Sequence, residues 1–317
     1  MEEDLKPGDY FDGEALVETI EQKRKRNGDP YTVLGIRTKA GKSMSAKYWQ
    51  GALGGIAPGK VIHLRADVDE WQERIELKVK EVSEPKGNST PLDFLPRSKF
   101  DPNERYKELL SIVEDRCKGE VKETVEYLLK KFEGEFKVAP AAVKMHHARL
   151  GGLVEHTLSV TRFAVNSLVT AAELGYDTKG ISYSVLAGGA VLHDIGKTRE
   201  YRYSTTIDFD PDGSTVGHLA MGHHMFISAI KKLKIPYTQD LKHVGHIILS
   251  HHGKLEWGAP VEPMTIEALL VHRSDLMSRD LDIGLEILAE TRANSQWTER
   301  DRRLWNSTKK LRVFSSI

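Results

Sequence analysis

His193 and Asp194 stand side by side at the end of the apolar run Val185 to Leu192 and are followed by Ile195, Gly196 and Lys197. The run reads as a buried helix, because Leu186, Ala190, His193 and Lys197 recur at helical spacing. His193 then lies on or beside the buried face, and Asp194 follows about 100° further round, so both side chains can reach one ion at the face edge. Such a pair is costly at the end of a buried helix unless something pairs with it. Gly196 is expected to end or loosen the helix and let Lys197 point into the same cleft. The thirteen histidines are spread unevenly, with only His63 before residue 146. His156 opens an amphipathic helix and His218 follows Gly217 at another helix start. His251 and His252 close a helix in which Val244, Ile247 and Ile248 share a face with His251. Asp275 interrupts the otherwise apolar stretch 269–277.

Nitrogen and carboxylate groups drawn from several helices suit a divalent first-row ion rather than calcium or a cysteine-type zinc. A first ion needs about four protein ligands, and His156, His193, Asp194 and Asp275 supply them. His218 with His251 or His252 can hold a second ion, with Asp194 as the bridge. Two such ions stand about 3.5–4 Å apart and clamp the attacking and leaving oxygens of a phosphoryl displacement. Water at such an ion is a nucleophile near neutral pH, so no Ser or Cys nucleophile is required. Asp194 and Lys197 are therefore the catalytic candidates, Lys197 as a clamp for a phosphate oxygen. His146 and His147, ahead of the Gly151-Gly152 turn, either touch substrate or cap a helix. Glu155 either supports His156 or is an exposed acid.

Two kinds of sequence carry these residues. Residues 1–85 read as β: 31–38, 42–49, 61–68 and 74–82 alternate with period two. About five strands, with a short segment at 50–58 that can hold one helical turn, is the plan of a five-stranded OB-like barrel. Tyr48, Trp49 and Trp71, with Lys25 and Arg26 from the basic run 23–26, suit base stacking over a phosphate-tracking groove. The alternative is that the tryptophans are barrel core and the basic run a solvated hairpin tip. Residues 86–103 are rich in proline and polar residues and read as a linker. Asp101-Pro102-Asn103-Glu104 opens a helix, and residues 104–317 read as an all-α bundle. Helices are expected over 106–116, 121–132, 153–174, 184–197, 218–233, 241–252 and 265 to about 293. Asp208, Asp210 and Asp212 lack the closing acid of a calcium loop and read as a solvated turn. A basic segment with Trp297 and Trp305 follows near the C-terminus, either holding RNA or packing as a terminal helix.

The whole chain has 317 residues, 39% hydrophobic and 29% charged, with 46 basic and 46 acidic side chains. A balanced charge leaves any polyanion site to a local patch. The sole cysteine, Cys117, excludes an intrachain disulfide and fits a reducing compartment. No apolar run reaches the roughly 18–20 residues of a membrane span. A soluble cytoplasmic protein with no membrane partner is expected, of oligomeric state that the sequence leaves open.

The order His…His-Asp…Asp on helices resembles the HD phosphohydrolase superfamily over roughly residues 105–293. The joined motifs sharpen this: His146-His147-Ala148-Arg149-Leu150-Gly151-Gly152-Leu153-Val154-Glu155-His156-Thr157, His193-Asp194-Ile195-Gly196-Lys197, Gly217-His218, Leu249 to Gly258, and Pro263-Met264-Thr265. Together they resemble the YhaM-type exoribonucleases, in which an OB-fold domain precedes an HD domain. The resemblance implies stepwise 3′-to-5′ hydrolysis of single-stranded RNA, and often DNA. It implies manganese or a similar divalent ion, with cobalt, iron, nickel or magnesium as alternatives and two ions per site. His156, His193, Asp194 and Asp275 match the primary ligands, His218 and His251 those of the second ion, with His252 as the neighbour of His251 that can replace it. The alternatives are an HD phosphohydrolase for free nucleotides or cyclic dinucleotides, and a non-catalytic OB-fold RNA-binding protein. No Gly-Tyr-Pro tripeptide favours the cyclic-dinucleotide class, and a β domain of OB type favours a polymer.

Overall fold

Period-two alternation in the first part of the chain closes into a barrel. The computed structural model describes residues 5–71, 74–143, 147–289, 291, 295–299, 301–303 and 310–313. Its strands are β1 (Tyr10–Arg24), β2 (Pro30–Thr38), β3 (Ser43–Tyr48), β4 (Val61–Trp71) and β5 (Arg74–Ser83). They run in the closed order β1-β2-β3-β5-β4, antiparallel except for β3 beside β5. β1 pairs with β4 through its first half and with β2 through its second. A register shift between Val17 and Thr19 marks a bulge, the usual device for bending a long strand round a barrel. Leu34, Ile36, Ile62, Leu64, Val68, Leu77 and Val79 fill the interior, and Ala15, Ala46 and Ala66 fit where it is narrow.

Two expectations change in this unit. Residues 50–58 hold no helical turn. Gly51 and Gly55 take positive φ there, and the chain instead lays Leu53 and Ile56 against the barrel core. The proline-rich stretch 86–103 is partly folded: Pro91–Phe94 forms a 3-10 turn, and Phe94 is buried with Leu16 and Val61. Burying a phenylalanine offsets the entropy of ordering a few residues. Composition registers the prolines of this stretch and misses its one aromatic anchor.

The chain divides into two compact units, residues 1–97 with 203–207, and 98–202 with 208–317. The second is built on α1 (Pro102–Arg116), α2 (Gly119–Lys131), α3 (Glu133–Val138), α4 (Gly152–Glu173), α5 (Tyr183–Leu192), α6 (Lys197–Glu200), α7 (Pro211–Val216), α8 (His218–Leu233), α9 (Gln239–Ser250) and α10 (Ile266–Ala289). Asp101 caps α1 by accepting from the Asn103 N–H at 2.8 Å. α5 is buried from Val185 to Leu192. Gly188 and Gly189 make that possible: a Cβ on them would lie 2.6 Å from Val121 of α2 and 2.3 Å from Ile247 of α9. A two-stranded ribbon, β6 (Tyr201–Tyr203) and β7 (Ile207–Phe209), forms where only helices were expected. The acidic run after it is a cap: Asp210 accepts from the N–H groups of Asp212 and Gly213 and starts α7. Among the described C-terminal residues, Trp297 and Arg312 form a β-bridge rather than a helix. Leu311 packs on Ile283 and Ile287, and Arg303 pairs with Glu286 at 2.8 Å. Trp305 lies outside the described residues.

Glu14 of β1 ties the folded part of 86–103 to the barrel. It accepts from the Gly87 N–H at 2.8 Å and from the Ser89 hydroxyl, and pairs with Lys39 at 2.8 Å. The Lys39 ammonium, then the Ser89 and Gly87 donors, pull its carboxyl pKa down to about 2 from 4.5. A depressed folded-state pKa gives stability that is complete above the unfolded value and lost as pH falls towards 2. Glu14→Gln is expected to destabilise the barrel by about 1.5–3 kcal/mol at pH 7, the range for hydrogen bonds to a charged group. Urea melts at a series of pH values should show the gap between variant and wild type closing below pH 4.5. A gap independent of pH would refute the assignment.

Candidate metal centre and nucleic-acid face

Seven side chains converge, with one carboxylate, that of Asp194, at the centre. α4 brings His156, the turn after α5 brings His193 and Asp194, α8 opens with His218, the end of α9 supplies His251 and His252, and α10 carries Asp275. His156 Nε2 lies 3.4 Å from His193 Nε2, 3.4 Å from Asp194 Oδ2 and 3.2 Å from Asp275 Oδ1. His193 Nε2 is 3.3 Å from the same Asp194 oxygen. The other oxygen, Oδ1, faces His251 Nε2 at 3.4 Å and His218 Nε2 at 3.6 Å, and His218 Nε2 is 3.1 Å from His252 Nε2. Both members of the 251–252 pair therefore enter the cluster.

The way each ring is fastened explains this convergence. Nδ1 of His193 donates to the Ala190 carbonyl, that of His251 to Ile248, and that of His252 to Trp257. His218 Nδ1 binds the Glu200 carboxylate at 3.0 Å, and Glu200 also takes the His218 backbone N–H. His156 Nδ1 meets the Ser278 hydroxyl at 3.1 Å. With its proton held at Nδ1, an imidazole presents the Nε2 lone pair inward, the form that ligates metals. The turn itself depends on Gly196, whose φ of −62° is helical, so it does not act by ending the helix. A Cβ there would sit 2.0 Å from the His218 carbonyl oxygen; the glycine lets the His-Asp turn abut the start of α8.

The donor spacing fits divalent metal. Ligands at about 2.0–2.2 Å from an ion stand roughly 2.8–3.6 Å from one another, the spacing seen on both sides of Asp194. Among the described residues, no donor makes a hydrogen bond to the buried Asp194 Oδ1. The Nε2 lone pairs of His218 and His252 oppose each other at 3.1 Å, which a cation between them would relieve. Burial alone would raise the Asp194 carboxyl, yet Lys197 and His193 overrule it and hold its pKa well below the usual range. Burial pushes His251 down to about 3, and with the nearby His218 also lowers His252, so both rings stay neutral. Lys197 Nζ is 2.8 Å from Asp194 Oδ2. Burial opposes its charge, and the Asp194 carboxylate more than restores it.

His147 is buried, its ring 5.3 Å from that of His156. It forms a ligand-spaced group with Glu155 and Asp282, but there Arg149 supplies the positive charge, at 2.7 Å from Glu155 and 2.6 Å from Asp282. Burial would raise the Glu155 carboxyl, but His147 and Arg149 bring it down to about 2. Glu155 is thus a buried partner rather than an exposed acid. His146 lies outside the described residues. Sequence reasoning missed Glu200, Ser278, Asp282 and Arg149 as supports. His272, Asp275, Ser278 and Asp282 form a polar stripe at helical spacing on α10, a signal that was present. Glu200, on a four-residue helix, left no periodicity to read.

In the barrel, Trp49 is 39% and Trp71 61% exposed, so neither is core. Trp49 stacks on Tyr31 with ring centroids 4.4 Å apart, a partner the sequence did not single out. Lys47 Nζ lies 5.8 Å from the Trp71 ring centroid. Tyr48 is half-buried against the core. Lys23 and Arg24 belong to the end of β1, and Lys25 and Arg26 to the turn after it. Lys23 pairs with Glu21 at 2.9 Å. A shallow cleft of ≈ 380 Å³ on the barrel is lined by residues that include Glu21, Lys23, Val33, Gly35 and Ser45.

The family model of the HD domain matches residues 153–280, the stretch that carries every one of the seven converging groups. Over most of its length the chain is also similar to proteins named 3′-5′ exoribonuclease YhaM. It is 28% identical to that of Oceanobacillus iheyensis over 87% of this chain and 86% of the relative. It is 27% identical to that of Listeria innocua, over 92% and 93%, and 27% to that of Bacillus subtilis, over 92% of each. The resemblance drawn from the motifs therefore extends through the barrel.

Asp194→Ala is expected to abolish tight manganese binding while the far-ultraviolet circular dichroism stays native. Glu200→Gln should weaken binding at the His218 side about 10–100-fold, the usual cost of losing a carboxylate that orients a ligating histidine. Calorimetric titration checks both, and wild-type affinity in Glu200→Gln would refute the orienting role.

Proposed function

We propose that this chain, an HD-domain protein whose sequence follows the YhaM exoribonucleases from barrel to bundle, is a metal-dependent 3′-5′ exoribonuclease acting on single-stranded RNA, with single-stranded DNA as a second substrate. The observation that carries this reading is the buried Asp194 carboxylate, with one oxygen among His156, His193 and Asp275 and the other among His218, His251 and His252. His156, His193, Asp194 and Asp275 would hold a first ion, and His218, His251, His252 and the second Asp194 oxygen another. The nitrogen and oxygen donor set suits manganese, with cobalt, iron, nickel or magnesium as alternatives. Such ions, when bound, make water acidic and neutralise charge on the scissile phosphate.

The chain's own residues do the rest. Lys197, fixed by its contact with Asp194, offers an ammonium to a phosphate oxygen. Glu200, Ser278 and the carbonyls of Ala190, Ile248 and Trp257 keep the five rings aimed inward. His147 supports His156 from within the Arg149 cluster. On the barrel, Tyr31, Trp49 and Trp71 offer stacking surfaces, with Lys25, Arg26 and Lys47 for phosphates. Among the described residues no helix is long and apolar enough to cross a membrane. With a single cysteine, the cytoplasm is the compartment we assign.

A 20-nucleotide RNA labelled at either end, incubated with manganese, is expected to give a ladder shortening from the 3′ end and nucleoside monophosphates. Hydrolysis of free nucleotides with the RNA left intact would overturn the reading in favour of a nucleotide phosphohydrolase. Trp49→Ala with Trp71→Ala should weaken RNA binding by about 1–3 kcal/mol per lost stack. The same protein should hydrolyse bis(p-nitrophenyl) phosphate at the wild-type rate. Unchanged RNA affinity in filter binding would remove the barrel face from substrate handling.

A further inference from the structure

The motif that follows the paired histidines, Lys254 to Gly258, has so far only one role, the Trp257 carbonyl that holds His252. Leu255–Trp257 forms a 3-10 turn, and that carbonyl accepts from His252 Nδ1 at 2.9 Å. The Trp257 side chain is not used in packing to match: it remains 44% exposed. It is nevertheless held. Its ring lies 6.2 Å, centroid to centroid and tilted by 41°, from that of His272, a buried residue whose Nδ1 donates to the His251 carbonyl at 2.7 Å. Lys254 Nζ stands 4.7 Å from the indole centroid and pairs with Glu256 at 3.1 Å, both side chains being exposed. An indole fastened by its own backbone to a histidine of the cluster, backed by a buried ring and still open to water, has the form of a platform.

We propose that Trp257 stacks against the nucleobase of the terminal nucleotide while that nucleotide's phosphate lies at the Asp194 cluster, with Lys254 moving from the indole to the substrate's backbone. Every base has a π face, so stacking holds a nucleotide without reading its identity. That suits an enzyme that must accept each nucleotide in turn, and in this respect the inference rests on the exoribonuclease reading. The backbone carbonyl of Trp257 accepts one hydrogen bond from His252, so the base site and the second histidine group are set in register by the same short turn.

The test uses the full-length protein. Trp257→Ala is expected to raise the KM for a 20-nucleotide RNA about 5- to 150-fold, the measured range for one lost base–aromatic stack. The Trp257 carbonyl that holds His252 is backbone and is kept in the variant, so the loss should fall on RNA rather than on manganese or the small diester bis(p-nitrophenyl) phosphate, and Trp257→Phe should keep most of the RNA affinity. An RNA whose 3′-terminal nucleotide is abasic separates stacking from structure: wild type should already bind it weakly, and Trp257→Ala should add no further loss. Equal losses on the ordinary and abasic RNA, or a fall in diester hydrolysis or manganese content, would overturn the proposal in favour of a role in positioning His252. An unchanged KM would overturn it outright. Indole fluorescence, taken as the difference between wild type and Trp257→Phe, should be quenched by a short RNA. This readout needs no turnover, so absence of quenching refutes the stacking site even if the protein proves not to be an exoribonuclease.

Discussion

Asp194 is a fully buried carboxylate whose two oxygens face two different groups of histidines, with the Lys197 ammonium 2.8 Å away. A charge in that position is tolerable only if it is surrounded by partners that remain where they are. Much of the helical unit can be read as meeting that condition. α5 runs through the interior because Gly188 and Gly189 let α2 and α9 approach its backbone. The turn that follows abuts α8 because Gly196 has no side chain. Three close approaches of backbone thus put one carboxylate within reach of five imidazoles, one from its own turn and four from three other stretches of chain.

The rings are controlled from their far side. Each of the five gives Nδ1 to a carbonyl, a carboxylate or a hydroxyl, and each thereby presents Nε2 to the centre. The same economy explains the neighbouring group of His147, Glu155 and Asp282, which by spacing alone would pass for another ion site. There the guanidinium of Arg149, with Glu155 and Asp282 oxygens at 2.6–2.7 Å, is a covalently attached cation. It joins the start of α4 to α10, the two helices that carry His156 and Asp275. Distance between donors therefore does not by itself identify a metal site, since the Arg149 group has that spacing with a cation of the protein already among its carboxylates.

The barrel obeys a simpler constraint. Its inward positions are filled by aliphatic residues and Phe11, while Trp49 and Trp71 remain in water. Tyr31 of β2 and Trp49, just past the end of β3, meet there because the register that pairs Thr32 with Tyr48 makes them neighbours. Exposed stacked aromatics with lysines nearby have little to gain from solvent and much from a nucleobase.

Much was determined by the sequence alone. The alternation of residues 31–38, 61–68 and 74–82 required a barrel with one filled face per strand. The helical spacing of His193, the isolation of Asp275 in an apolar helix, and histidines at three helix ends marked the candidate residues before any of them could be placed. What those patterns lacked was the identity of the partners. That His251 and His252 both face the centre depends on a turn held by the Trp257 carbonyl and by His272, and the 3-10 turn that carries Trp257 has no periodic signal. Phe94 is an anchor only because Leu16 and Val61 lie where it lands. Glu200 and Arg149 are charged residues of a kind that commonly belongs to the surface, and burial in company decides otherwise for them. Periodicity is local and records which face of an element is turned inward. The pairing of a carboxylate with a particular ring is made between elements far apart in the chain, and only the packed structure decides it.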